Sequence, residues 1–106
     1  MSNLKKITNV NFPEFINSEK LVMVDFFADW CGPCKVLLPI MDKLSEEYSE
    51  QIIIGKMNVD EDQSIASEYG IRNIPTVLFF KNNELIDRFS GNIGESAIRD
   101  KINKYR

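Results

Sequence analysis

The chain contains no histidine and only two cysteines, Cys31 and Cys34. A tetrahedral structural zinc site takes four ligands, so with no third cysteine and no imidazole a metal centre of that kind is not expected. Long apolar runs are missing too: none approaches the length needed to cross a bilayer, and no membrane association is expected. The first residues, MSNLKKITNVNF, carry two lysines but lack the apolar core and small-residue cleavage site of a secretory signal, so the cytoplasm is the expected compartment. There is no excess of charge of one sign, since 13 basic residues are interspersed with 16 acidic ones for a net charge of -3, and nucleic acid is not an expected partner. Repeats, linkers and low-complexity stretches are also absent. What remains is 106 residues, 43% hydrophobic and 27% charged, which is enough to bury one core without disulfide staples. A single domain over residues 1–106 is expected, and a monomer, because no apolar excess asks for a partner.

LVMVDFFA, from Leu21 to Ala28, is nearly continuously apolar, as a strand covered on both faces would be. IIIGKMNV, from Ile52 to Val59, reads the same way. TVLFF (Thr76 to Phe80) and LIDRF (Leu85 to Phe89) read as a hairpin turning at Asn82 and Asn83. An early strand is expected over Leu4 to Thr8. Between the first two long strands, Leu37, Ile40, Met41, Leu44 and Tyr48 recur at helical spacing, with Lys35, Asp42, Lys43, Glu46 and Glu47 on the opposite face. Pro33 suits the first turn of this helix, whereas Pro39 lies inside it and removes a backbone donor, so a kink is expected there. Shorter helices are expected over 12–17, over 62–69 with Gly70 as the stop, and over 95–104 with Ile98 and Ile102 inward. Strand and helix alternating, then a hairpin, predict a mixed sheet with helices on both faces.

Both cysteines lie in WCGPCK, Trp30 to Lys35, where the central strand's carboxyl end meets a helix. Open α/β sheets place their sites at such junctions. A thiol attacks as its thiolate, and a helix N-terminus stabilises that anion through free N–H groups and the positive end of the dipole. Cys31 is placed to gain that stabilisation, and Cys34, three residues on, can bring its sulfur to the same face and close a small ring. One would attack and the other resolve. Gly32 and Pro33 turn the chain tightly without placing bulk beside the attacking sulfur. In a reducing compartment a structural staple is improbable, and so short a loop removes little unfolded-state entropy. Two inert buried cysteines remain the plain alternative.

Asp25 is a carboxylate inside an apolar segment, where burial would raise its pKa and poise it as a proton acceptor; a solvated carboxylate at a strand edge is the alternative. Lys56, in the neighbouring strand, could pair with it or be an ordinary exposed strand lysine. Pro75 directly precedes a strand, and its peptide is trans on base rates or cis in a tight entry. Trp30, next to Asp29 at the mouth of the loop, reads as an exposed contact rather than a core aromatic.

WCGPCK preceded by VDFFAD and followed by GIRNIPT and FFKNNE resembles the thioredoxin family along the whole chain. The resemblance implies a thioredoxin fold, a five-stranded mixed β-sheet flanked by four α-helices, and a general protein-disulfide reductase. It assigns Cys31 as nucleophile, Cys34 as resolving thiol, Asp25 as the group assisting deprotonation of Cys34, and Lys56 as its modulator. It also implies that Pro75 is cis against the disulfide, with the Ile74 backbone free to bond an extended client segment. The implied groove is Trp30, Gly32, Pro33, Val59, Ile74, Pro75 and Gly91. Relatives that act as oxidants often carry histidine between the cysteines, so Gly-Pro favours a reductant. Disulfide-containing client proteins and a thioredoxin reductase, drawing on NADPH or ferredoxin, are the implied partners; no bound cofactor is expected. Phe27, Asn73, Asn83, Ser90 and Asn92 depart from commoner family residues, and Ser90 and Asn92 are expected to make the groove more polar. A dedicated oxidase or isomerase, and a scaffold indifferent to its thiols, are the competing functions.

Overall fold

A computed structural model describes residues 4–106 of the chain, so residues 1–3 of the expected domain lie outside the described residues. The elements run β1 (Lys5–Lys6), α1 (Phe12–Phe15), β2 (Leu21–Phe27), α2 (Gly32–Glu47), β3 (Ile52–Asn58), α3 (Ser64–Glu68), β4 (Thr76–Lys81), β5 (Glu84–Ser90) and α4 (Glu95–Tyr105). They build a five-stranded sheet in the order β1-β3-β2-β4-β5. The first three strands in that order are mutually parallel, and β4 and β5 are antiparallel to their neighbours. The sequence's alternation followed by a hairpin therefore gives the mixed sheet it predicts.

Strand β2 is buried at every position because side chains alternate between two covered faces. Leu21 and Met23 join Ile52, Ile54, Val77 and Phe79 under Leu37, Met41 and Leu44 of α2 and Ile98 and Ile102 of α4. Val22, Val24 and Phe26 join Met57, Leu78 and Phe80 against α1 and α3 on the other face. Phe12, Tyr69 and Phe80 close that second core as three aromatic rings 5.6–5.7 Å apart. Gly55 of β3 has no room for a side chain: a Cβ there would stand 2.5 Å from Ile7 Cγ1 and 2.9 Å from Phe15 Cε2.

The hairpin turns where expected, with Asn82 at φ 54° and Asn83 at φ 69°, the left-handed conformation asparagine tolerates well. The early strand is shorter than its expected span, and α1 and α3 stop short of theirs. Helix α2 starts two residues earlier than the periodicity begins and runs through Pro39 without interruption. Pro39 sits on the exposed face, so the Lys35 carbonyl that loses its donor is turned toward water.

Candidate functional site

Strand β2 delivers the chain to the N-terminus of α2 in four residues, and Cys31 becomes the cap. Its backbone is extended (φ -86°, ψ 112°), its carbonyl accepts the N–H of Lys35 at 3.2 Å, and its Sγ accepts the N–H of Cys34, also at 3.2 Å. A sulfur at a helix N-cap faces unsatisfied backbone donors and the positive end of the dipole, so its anionic form is favoured. Cys31 and Cys34 are joined as a disulfide with Cα atoms 5.2 Å apart. Cys31 keeps 4% of its surface accessible while Cys34 keeps none, so an incoming group meets Cys31 first. Gly32 and Pro33 are exposed in the first helical turn and put no bulk over the sulfur.

Two loops frame this sulfur. The Ile74–Pro75 peptide is cis, as the resemblance implies and against the base-rate expectation, and the Ile74 carbonyl oxygen lies 3.8 Å from Cys31 Sγ. Gly91, at φ 79°, donates its N–H to the Pro75 carbonyl at 2.7 Å and so ties the second loop to the first. Trp30 is 69% exposed on the other flank, as its place beside Asp29 suggests, and its indole N–H donates to Asp60 Oδ2 at 2.8 Å. Between Trp30 and Ile74 opens a cavity of about 340 Å³ to which Val59 also contributes. Val59 and Ile74 thus pack against the cysteine pair, with Pro75 and Gly91 tied to Ile74's loop and Trp30 across the cavity, although they come from widely separated parts of the sequence.

Asp25 is fully buried in β2, the strand that leads to this site, with β3 and β4 on either side. Its strand position turns it to the face covered by α2, whose first turn carries Cys34. Desolvation pushes its pKa from 3.8 up to about 8, and neither carboxyl oxygen meets a hydrogen-bond partner among the described residues. Lys56 is its register neighbour on β3 but makes no ion pair with it or with any other described residue. Instead it lines a separate cleft with Lys6, Phe27, Asp29, Asn58 and Glu61. Desolvation is the cause of the carboxyl's raised affinity for its proton, and no ion pair with Lys56 offsets it.

The thioredoxin family model matches residues 3–104. The chain belongs to the thioredoxin family. It is 48% identical over 106 residues to the chloroplastic M-type thioredoxin of Spinacia oleracea, covering 96% of this chain and 59% of that longer one. With the thioredoxin of Porphyra purpurea it shares 41% identity over 104 residues, 97% of each chain, and with that of Rickettsia prowazekii 45% over 102 residues, 95% and 97%. The thioredoxin structure of Malassezia sympodialis superposes with a TM-score of 0.89 at 34% identity, over 99% of this chain and 92% of that one. The fold is the thioredoxin fold, and the Cys31–Cys34 pair is a thioredoxin's redox pair: the chain is a thiol-disulfide oxidoreductase.

Further residues of this thioredoxin site are assigned no role by the sequence. Asp60 holds the indole of Trp30, and Thr76, fully buried, donates its hydroxyl to the Asn73 carbonyl at 2.7 Å. Because that bond uses the Thr76 proton, the 2.9 Å contact with Ser90 is a bond in which Ser90 donates. Asn92 Oδ1 likewise accepts the Gly94 N–H at 3.0 Å. Ser90 and Asn92, expected to add polarity to the groove, are both exposed, and their side chains also brace the loops of the chain. The remaining signal for Asp60 was its position just past the carboxyl end of β3, where such sheets collect functional groups.

Proposed function

We propose that residues 1–106 act as a single-domain, monomeric general protein-disulfide reductase of the cytoplasm. The observation that carries this reading is the disulfide at the N-cap of α2, with Cys31 on the accessible side and Cys34 wholly buried. In the reduced protein the Cys31 thiolate attacks one sulfur of a client disulfide, forming a Cys31–client bond and releasing the other client sulfur as a thiolate. Cys34, deprotonated by Asp25 through water, then attacks Cys31 Sγ; the Cys31–Cys34 bond forms and the second client sulfur leaves with the electron pair. Two electrons have passed to the client. A carboxylate with a pKa of about 8 is matched to accept a thiol proton near neutral pH. Lys56 modulates it from the adjacent strand. Trp30, Val59, Ile74 and Gly91 bind the client segment, while Gly32, Pro33 and Pro75 shape the approach. The Ile74 backbone receives the segment as an added strand, which makes recognition largely independent of client sequence.

The chain is then an electron carrier whose disulfide must be reduced again by a partner, and a thioredoxin reductase is the proposed one. The spinach relative is chloroplastic, so the cytoplasmic placement rests on the chemistry of a dithiol that works reduced rather than on relatives' addresses. Among the described residues no helix is long and apolar enough to cross a membrane. Cys34→Ser tests the order of attack: the variant should accumulate covalent complexes with client proteins that reductant dissolves and mass spectrometry maps to Cys31. Complexes mapped elsewhere, or none, would contradict the assignment of attacking and resolving sulfurs.

A further inference from the structure

The cavity between Trp30 and Ile74 has an apolar floor that includes Val59, Ala66 and Ile71, and one charged side chain, Arg72, among its lining residues. The chain's other three arginines are committed within the fold: Arg88 to the Tyr69 carbonyl, Arg99 to Glu47 and Glu95, Arg106 to Gln51. Arg72 is exposed and bonds to no described residue. Asp60 accepts the Trp30 indole N–H and does not line the cavity. The cavity therefore offers a free guanidinium on the same lining as Ile74, the residue whose carbonyl approaches Cys31, on a chain whose net charge is -3. At long range such a chain repels acidic partners, whereas the one charged residue lining the cavity is a cation.

We propose that Arg72, on the wall of this cavity, selects clients that carry aspartate or glutamate in the segment flanking the attacked cysteine. The proposal deepens the disulfide-reductase reading and rests on it. Ile74 links the two places, because its carbonyl lies 3.8 Å from Cys31 Sγ and the residue also lines the cavity. A client strand laid along Ile74 to bring its sulfur to Cys31 carries a neighbouring side chain over the cavity. An aliphatic neighbour covers the floor, and a carboxylate meets the paired N–H donors of the guanidinium. A lysine at the same place meets a like charge. Arg72 acts on capture of the client, and the exchange of sulfurs is the one already described.

The test uses disulfide peptides identical except for a single Glu, Gln or Lys placed in turn one, two or three residues to either side of the cysteine. Second-order rate constants for their reduction by the reduced protein are measured at low and high salt. At the responsive position the wild type should reduce the Glu peptide about three- to tenfold faster than the Lys peptide, and the preference should shrink as salt rises. Arg72→Gln should bring the ratio to about one and Arg72→Glu should invert it, with thermal transitions recorded to confirm that both variants are folded. Equal Glu and Lys rates at every position, or a preference unchanged in Arg72→Glu, would overturn the proposal. Folded, reduced wild type that acts on none of the peptides would remove the reductase reading itself and this proposal with it.

Discussion

Neither carboxyl oxygen of Asp25 is hydrogen-bonded to a described residue, and the group is held at a pKa of about 8 by desolvation. Between pH 4 and 8 the folded chain keeps a proton that the unfolded chain has released, so stability falls as the pH rises through that window and levels off above it. Asp25→Asn removes the ionisation while preserving the shape. At pH 7 it should be more stable than wild type by a few kcal/mol, on the order of one for each pH unit above the unfolded pKa, with the advantage fading toward pH 4. Urea titrations at several pH values check the slope. The same variant should reduce clients more slowly at the resolving step at neutral pH, and unchanged stopped-flow kinetics would take Asp25 out of the mechanism. Asp25 could be singled out in the sequence because it is a carboxylate among apolar residues. Lys56 could be placed beside it but not oriented: a one-letter pattern fixes the sheet neighbour and says nothing of where a long flexible side chain ends. Arg72 carried no signal of its own, since its meaning comes from having no partner while the other arginines have theirs.

At the scale of elements, α2 joins structure to chemistry, because one residue is both its cap and the more accessible end of the disulfide. The periodicity begins only at Cys34, since Gly32 and Pro33 carry no apolar side chain to mark the first turn; the start at Gly32 is set instead by Cys31 capping and Pro33 fitting an early helical position. The short elements β1, α1 and α3 were the least legible for a related reason. Their bounds are decided by packing, as at Gly55, where Ile7 and Phe15 close over the strand from segments on either side of α1's start. Gly55→Ala should therefore cost about 1–3 kcal/mol, because an added methyl forces buried Ile7 and half-buried Phe15 to move. The loss should appear in thermal unfolding, while the rate of thiol exchange in the folded protein stays near wild type. A substitution without effect on stability would mean that the β1 edge is looser than the packing indicates.

Across the whole molecule, the site is an assembly of the strand ends. The junction after β2 supplies Trp30 and the cysteines, the end of β3 leads to Val59 and Asp60, the entry to β4 supplies Ile74 and Pro75, and the exit from β5 supplies Gly91. Their convergence follows from the parallel pairing of β2 with β3 and the antiparallel pairing of β4 with both β2 and β5, which brings three strand ends and one strand start to the same edge. Periodicity could give the strands, and WCGPC could give the reaction, but the meeting of Asp60 with Trp30 and of Ser90 with Thr76 depended on three-dimensional register. The central claim is that this edge reduces protein disulfides through Cys31. Dithiothreitol-driven reduction of insulin disulfides, comparing wild type with Cys31→Ser, tests it most directly. The account predicts rapid turnover by the wild type and none above the uncatalysed rate by the variant; no turnover by folded, reduced wild type, or undiminished turnover by Cys31→Ser, would contradict it.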